Sequence, residues 1–273
     1  MTLSTILFLF LAHLGVGIAF TLVFVSREAG VKFFRFNAGL AAILIAIALA
    51  FYYGGSNPGE PPPTRLAQIS VLALDAADVA LVLYWATVGR MLATVRPALV
   101  AVGVGGGLLA VTLQALALTA GRAFPMQALT VASFLSSAAL LGGACTAMIL
   151  GHWYLILPSM QVSHLQKIVK VHIASMIVRV VVVVAAVFLA IASWQPGLGP
   201  SFQHYITSVA GIFFWQRVLF GLAGPAVLSY LTWETAKIRS TQSATGILYV
   251  DFFTVVVGEI LAKYLLLATR VPV

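Results

Sequence analysis

Residues 171–193 read VHIASMIVRVVVVVAAVFLAIAS, an apolar run with a single full charge, Arg179, near its middle. A run of about 20 apolar residues matches the ~30 Å hydrocarbon thickness of a bilayer. An arginine at that depth costs at least ~2.5–3.5 kcal/mol on insertion scales, so it is expected to face protein rather than lipid. The stretch therefore predicts a membrane-spanning helix with one polar side turned inward.

Working outward, similar runs recur at roughly 3–25, 38–54, 68–89, 97–119, 128–156, 205–233 and 245–268, which makes eight in all. The expected fold is all-α, a polytopic integral membrane helical bundle with about eight transmembrane helices, residues 1–273 forming a single transmembrane domain. Short connections leave no room for a large catalytic part, which would have to belong to another chain. The composition agrees: 62% of the 273 residues are hydrophobic, against about 45–50% in soluble domains, and the mean hydropathy is +1.07.

The net charge of +8 raises nucleic acid as a partner, but the distribution excludes that reading. Arg27, Lys32 and Arg35 follow the first run, Arg90 and Arg96 the third, Lys167 and Lys170 the fifth, Lys237 and Arg239 the seventh. The alternate connections carry only Arg65 and Arg122, with Arg270 after the last run. This is the positive-inside pattern. It places the chain in a bacterial-type cytoplasmic membrane with both termini on the external, periplasmic side. The partners it implies are the lipid bilayer, anionic headgroups included, and other subunits of a membrane complex. Met1-Thr2-Leu3 opens without a basic n-region, so the first run reads as a retained helix. Cys145 is alone, which leaves no disulfide framework and no thiolate metal cluster.

Two connections are marked by turn chemistry: residues 54–63, with three stacked prolines, and residues 194–200. No internal repeat is visible, which weighs mildly against the inverted symmetry of many secondary transporters. Glycines at 103, 105, 106 and 107 and at 142 and 143 read as places where helices approach closely. They form no phosphate loop, because no strand precedes them and no lysine follows.

The chemistry lies in charges held at membrane depth. Asp75 and Asp78 are three apart on one helix and share a face. Two carboxylates that close cannot both ionise cheaply in low dielectric, which suits proton relay or cation binding. Arg217 and Glu259 sit mid-run on consecutive antiparallel helices, so a pair between them is sterically reasonable. With Arg179 and Asp78 they are expected to form one buried network, whose plainer reading is structural glue between helices. Asp251 is a further charge inside an apolar run. Among the histidines, His152 closes the fifth run and His172 opens the sixth, at one expected depth on the cytoplasmic side. They could contact a quinone headgroup, ligate haem b between facing helices, or belong to an interfacial aromatic belt. His13, beside Gly15 and Gly17, is a second candidate for the cofactor, without an identifiable partner. His204 reads as interfacial. Residues 151–155 (GHWYL) and 240–249 (STQSATGILY) stand out as motifs without an assigned activity.

The last run contains Gly258-Glu259-Ile260-Leu261-Ala262-Lys263-Tyr264-Leu265. It resembles the closing helix of the eight-helix quinol-interacting anchor subunits of polysulfide- and dimethyl-sulfoxide-reductase-type complexes, which carry a Gly-Glu followed by a basic residue and an aromatic. The resemblance implies a subunit that exchanges electrons with membrane quinone and passes them to an iron–sulfur partner without haem, Glu259 being a proton or quinone group.

The function expected from sequence is a membrane-embedded subunit of a respiratory or electron-transfer complex. It would bind quinone, with haem b as the other admissible cofactor, and carry a protonatable network of Asp75, Asp78, Arg179, Arg217 and Glu259. Two competitors are a proton-coupled secondary transporter and a non-catalytic assembly subunit.

Overall fold

The computed structural model describes residues 2–55, 63–91, 93–157, 160–194 and 201–273. The two turn-rich connections lie largely outside them. Among the described residues every regular element is helical, and eight segments are long and apolar enough to cross a membrane. These are α1 (Leu3–Leu22), α2 (Gly30–Gly54), α3 (Arg65–Thr87), α4 (Arg96–Leu118), α5 (Phe124–Ile156), α6 (Val162–Ala192), a seventh segment in pieces, and α10 (Thr241–Thr269). Before the seventh segment comes the short α7 (Phe202–Thr207). The segment itself runs through α8 (Ile212–Val218), a π turn at Leu219–Ala223, and α9 (Gly224–Lys237). An even number of crossings brings both chain ends to one side, called here the terminal face. The opposite, basic face carries Arg27, Lys32, Arg35, Arg90, Arg96, Lys167, Lys170, Lys237 and Arg239.

Two helix starts and the interior of one span differ most from the hydropathy reading. Helix α2 starts at Gly30 rather than near 38, because Lys32 and Phe36 remain exposed and Arg35 half-buried while Phe33 and Asn37 bury. Basic side chains can continue a helix through the interface by keeping their heads in water. Helix α6 begins nine residues early in the same way: His164, Lys167 and Lys170 ride outside Leu165, Ile168 and Val169. The seventh span is the one that breaks regular α-helix, at a π turn of the kind that recurs at functional sites.

Helices α1, α5 and α10 form the centre. Helix α1 packs on α2, α4, α5 and α10, and α5 packs on α4, α6 and α10. Helices α1 and α5 are buried on most sides, as the centre of a bundle requires. The closest approach is where Gly17 meets Gly142: a Cβ at Gly17 would fall 1.9 Å from the Ala138 carbonyl oxygen. No side chain fits there, so backbone meets backbone. Just below, the Thr21 and Thr146 hydroxyls lie 2.6 Å apart and Thr21 also donates to the Gly142 carbonyl. Helices α3 and α4 pair with each other and sit against α2 and α1 as an outer layer.

The two unassigned motifs meet at the basic face. Gly151 packs on Thr245, and Tyr249 Oη lies 3.2 Å from His152 Nδ1. Trp153 donates to the Ala29 carbonyl at 3.1 Å, and the Tyr154 hydroxyl donates to the Gln161 carbonyl. Together they tie the start of α2 and of α6 to α5 and α10 at one corner.

Candidate functional site: a buried ionic cluster beneath an aromatic pocket

Glu259 is the hub. Its register on α10, one position after the Gly258 crossing, turns it toward α5, α6 and α8 with no exposed surface. From α6, Arg179 grips it with both prongs of its fork, Nε to Oε1 at 2.9 Å and Nη2 to Oε2 at 3.1 Å. From α8, Arg217 Nη2 donates to Oε1 at 2.9 Å. From α5, the Ser137 hydroxyl donates to Oε2 at 2.6 Å. Lys263, one turn along α10, brings Nζ to 3.8 Å from Oε2 and donates to Ser137 Oγ at 2.8 Å. Charge-assisted, bidentate bonds of this kind are the strong ones.

Around this hub the remaining donors of Arg179 are spent on the backbone and on a hydroxyl. Arg179 Nη1 donates to Ser133 Oγ at 2.7 Å and to its carbonyl at 3.0 Å. Its Nη2 also reaches the Val273 carbonyl at 3.4 Å, because the chain folds back after Arg270 and buries Val271 and Val273. His13 Nδ1 lies 3.3 Å from Ser137 Oγ, its ring edge against Phe134. Arg217 fits only because Gly221 and Gly258 have no side chains: a Cβ at Gly221 would fall 1.9 Å from Arg217 Nη1. Its Nε and Nη1 have no hydrogen-bond partner among the described residues. Three cationic side chains thus share one carboxylate.

Of the residues expected in the network, Arg179, Arg217 and Glu259 are brought together, and Asp75 and Asp78 are not. Helix α3 packs on α2 and α4, away from the hub. Asp75 Oδ2 accepts from the Tyr53 hydroxyl at 3.0 Å, and Asp78 Oδ1 has no partner among the described residues. Sequence fixes how deep a residue sits but not which way round the bundle its helix stands. Ser133, Ser137 and Lys263 were missed. Lys263 carried a readable signal, since i and i+4 share a helix face and Glu259 lies four residues before it. Nothing distinguished the two serines.

The paired histidines also separate. His172 packs its Cα 3.3 Å from where a Gly143 Cβ would stand, nine residues before His152 on α5. At 1.5 Å rise per residue that is about 13 Å of depth. His172 is fully buried beside Asp251, while His152 is exposed and bonded to Tyr249. The equal depth expected of them fails because α6 begins nine residues before residue 171, which carries His172 deeper. One iron between the two imidazoles is not available in this arrangement. His13 acquires the partner that sequence left unnamed, Ser137. His204 is exposed on α7, as an interfacial residue should be.

Nearer the terminal face than the cluster, and lined by none of its residues, lies a half-open cavity of about 610 Å³. Tyr264, Phe213, Tyr205 and Trp194 give it aromatic walls, and Arg122, Ser193 and Thr269 give it polar ones. The Tyr205 phenol, outside the spanning segments, is pushed above its usual range by partial burial and by the neighbouring Tyr264, and stays an O–H donor. No family model matches the chain, and no curated protein does. Function has to be argued from this geometry.

Proposed function

We propose that the chain is the quinone-binding membrane subunit of an electron-transfer complex, with the quinone ring held in the aromatic cavity on the terminal face. The observation that carries this reading is that cavity, walled by aromatic rings and by Arg122, on the same helix α10 that carries the buried cluster: its wall residue Tyr264 follows Lys263 in sequence. Its volume lies within the range of small-molecule sites, which combine apolar walls with a few placed polar groups. Tyrosine and phenylalanine rings offer faces for a planar ring, and Arg122, Ser193 and Tyr205 offer donors to its carbonyls. The half-open side leaves an exit for an isoprenoid tail. A quinone supplies two-electron, two-proton chemistry when bound. This chain's part is to hold the ring, to present positive charge where its oxygens become electron-rich, and to keep Lys263, Ser137 and His13 hydrogen-bonded beneath it. The periplasmic placement of this face follows from the basic residues gathered on the other, and the iron–sulfur partner from the resemblance of the last helix.

A second reading, proton-coupled transport, draws on one specific observation. The π turn at Leu219–Ala223 interrupts the seventh span one residue after α8 ends, next to Arg217 and at the Gly221–Gly258 crossing. Discontinuous spans beside buried charge are a hallmark of carriers.

Quenching of tryptophan fluorescence by a short-tailed quinone separates the two. Saturable quenching of the purified protein is expected, weakened at least ten-fold in Tyr264→Ala and in Phe213→Ala. Absence of saturable quenching, or equal affinity in both variants, would remove the quinone site. Solute-dependent proton uptake by proteoliposomes would then put the carrier in its place.

A further inference from the structure

We propose that His172 and Asp251 form a second proton-holding site, on the basic-face side of the membrane mid-plane. It needs no quinone, and no part of the aromatic cavity takes part in it.

The two side chains are fully buried, with Nε2 of His172 2.7 Å from Oδ2 of Asp251. The contact is close but not aligned as a hydrogen bond, and both ring nitrogens and both carboxylate oxygens lack a hydrogen-bond partner among the described residues. Four such atoms at one point of a membrane interior are costly unless something polar joins them. A proton shared between Nε2 and Oδ2 meets part of that cost.

Depth places the pair. Helix α10 runs from Thr241 to Thr269, so its midpoint falls at Val255. Glu259 lies four residues to one side of that midpoint and Asp251 four to the other, about 12 Å apart along the axis. The α5–α10 contacts, Ser137 with Glu259 and Gly151 with Thr245, set an antiparallel register that puts Asp251 level with Cys145. The Thr21–Thr146 hydroxyl pair lies at the same level. So does Ser229 on α9, by the register of the Gly221–Gly258 crossing, and its buried hydroxyl has no partner among the described residues. The interior therefore holds two polar layers, with Leu141, Met176 and Val255 buried between them.

Other charged groups are committed elsewhere. On α6, Lys170 lies over the Trp233 ring and Arg179 belongs to Glu259. On α9, Glu234 and Lys237 pair with each other. On α5, His152 is bonded to Tyr249, and Cys145 is the other titratable side chain near that level. On α1, His13 belongs to the upper layer. The lower pair is thus left to balance itself. It is neutral with one proton, carried as imidazolium beside carboxylate or as carboxylic acid beside imidazole. Neutrality is the cheap state in low dielectric, so the pair holds one proton between its two groups.

Infrared difference spectroscopy of the protein in lipid nanodiscs tests this without any turnover. A carboxyl C=O band that responds to pH and shifts in heavy water is expected in the wild type. It should vanish in Asp251→Asn, shift in frequency in Asp251→Glu, change its pH response in His172→Gln, and persist in Asp78→Asn. Asp251→Glu keeps the experiment informative if the asparagine variant fails to fold. A band unaltered by both Asp251 variants, or no pH-dependent band in the wild type, would overturn the site. Loss of quinone quenching with this band intact would count against the quinone reading alone.

Discussion

Glu259 and Asp78 are both carboxylates set near the middle of spanning helices, and the bundle surrounds them differently. Glu259 stands between central helices, with two guanidinium groups, an ammonium and a serine directed at it. Asp78 stands on an outer helix, half-buried, with one oxygen unpartnered among the described residues and Leu72 and Val79 exposed on the same helix. The difference teaches that depth alone does not make a site. A carboxylate in the membrane becomes machinery when other helices supply its counter-charges, and a buried charge is retained at a cost only where those partners are in place.

The sharpest way to break this comparison is to remove the hub. Glu259→Gln keeps the shape but strands Arg179, Arg217 and Lys263 together. Losing one member of a buried pair typically costs about 3–5 kcal/mol, and here three cations lose it. The expected outcome is failure to accumulate as a monodisperse protein, read by fluorescence-detected size exclusion. Stability equal to wild type would show that the cluster is not the keystone of the fold.

Arg179 should rank next. Arg179→Lys cannot reproduce the two-pronged grip or the bonds to Ser133, and about 2–3 kcal/mol is expected to be lost on the scale of charged hydrogen bonds. Arg217→Ala should do less harm than either, since Glu259 keeps Arg179 and Lys263. For the same reason, adding Glu259→Gln to Arg217→Ala should worsen stability rather than relieve it. Relief in the double variant, measured as an upward shift of the thermal midpoint, would mean that Arg217 is the dominant partner.

How much of this could be read beforehand follows from what hydropathy measures. The eight spans were legible because length and apolarity are one-dimensional, and so was the depth of Arg179, Arg217 and Glu259. The sites that failed depend on azimuth or on where a helix really starts. Asp75 and Asp78 share a face, as spaced, but that face belongs to an outer helix. His152 and His172 are near in sequence, yet a helix that begins at Val162 carries the second about 13 Å deeper. Ser133 and Ser137 carry no charge, and only the packing of α5 on α6 and α10 reveals their part.

The smallest effects should come from the outer aspartates. Asp78→Asn replaces a costly carboxylate by an amide at bilayer depth, where ionised groups are penalised by ~2.5–3.5 kcal/mol. Folding stability should therefore hold or rise. A fall of more than about 2 kcal/mol, the range of a lost buried charged bond, would show that Asp78 has a counter-charge after all.

Tyr53→Phe is the finest probe, because it deletes one hydroxyl and nothing else. That hydroxyl donates to Asp75 at 3.0 Å from an exposed side chain on α2. A hydrogen bond of this kind contributes about 0.5–1.5 kcal/mol net, and exposure places it at the low end. The thermal midpoint should move little, well below the shift from Arg179→Lys. If Tyr53→Phe instead matched the cluster variants, the outer carboxylates would hold the bundle as firmly as Glu259 does. The distinction between a partnered centre and a sparsely partnered outer layer would then be lost.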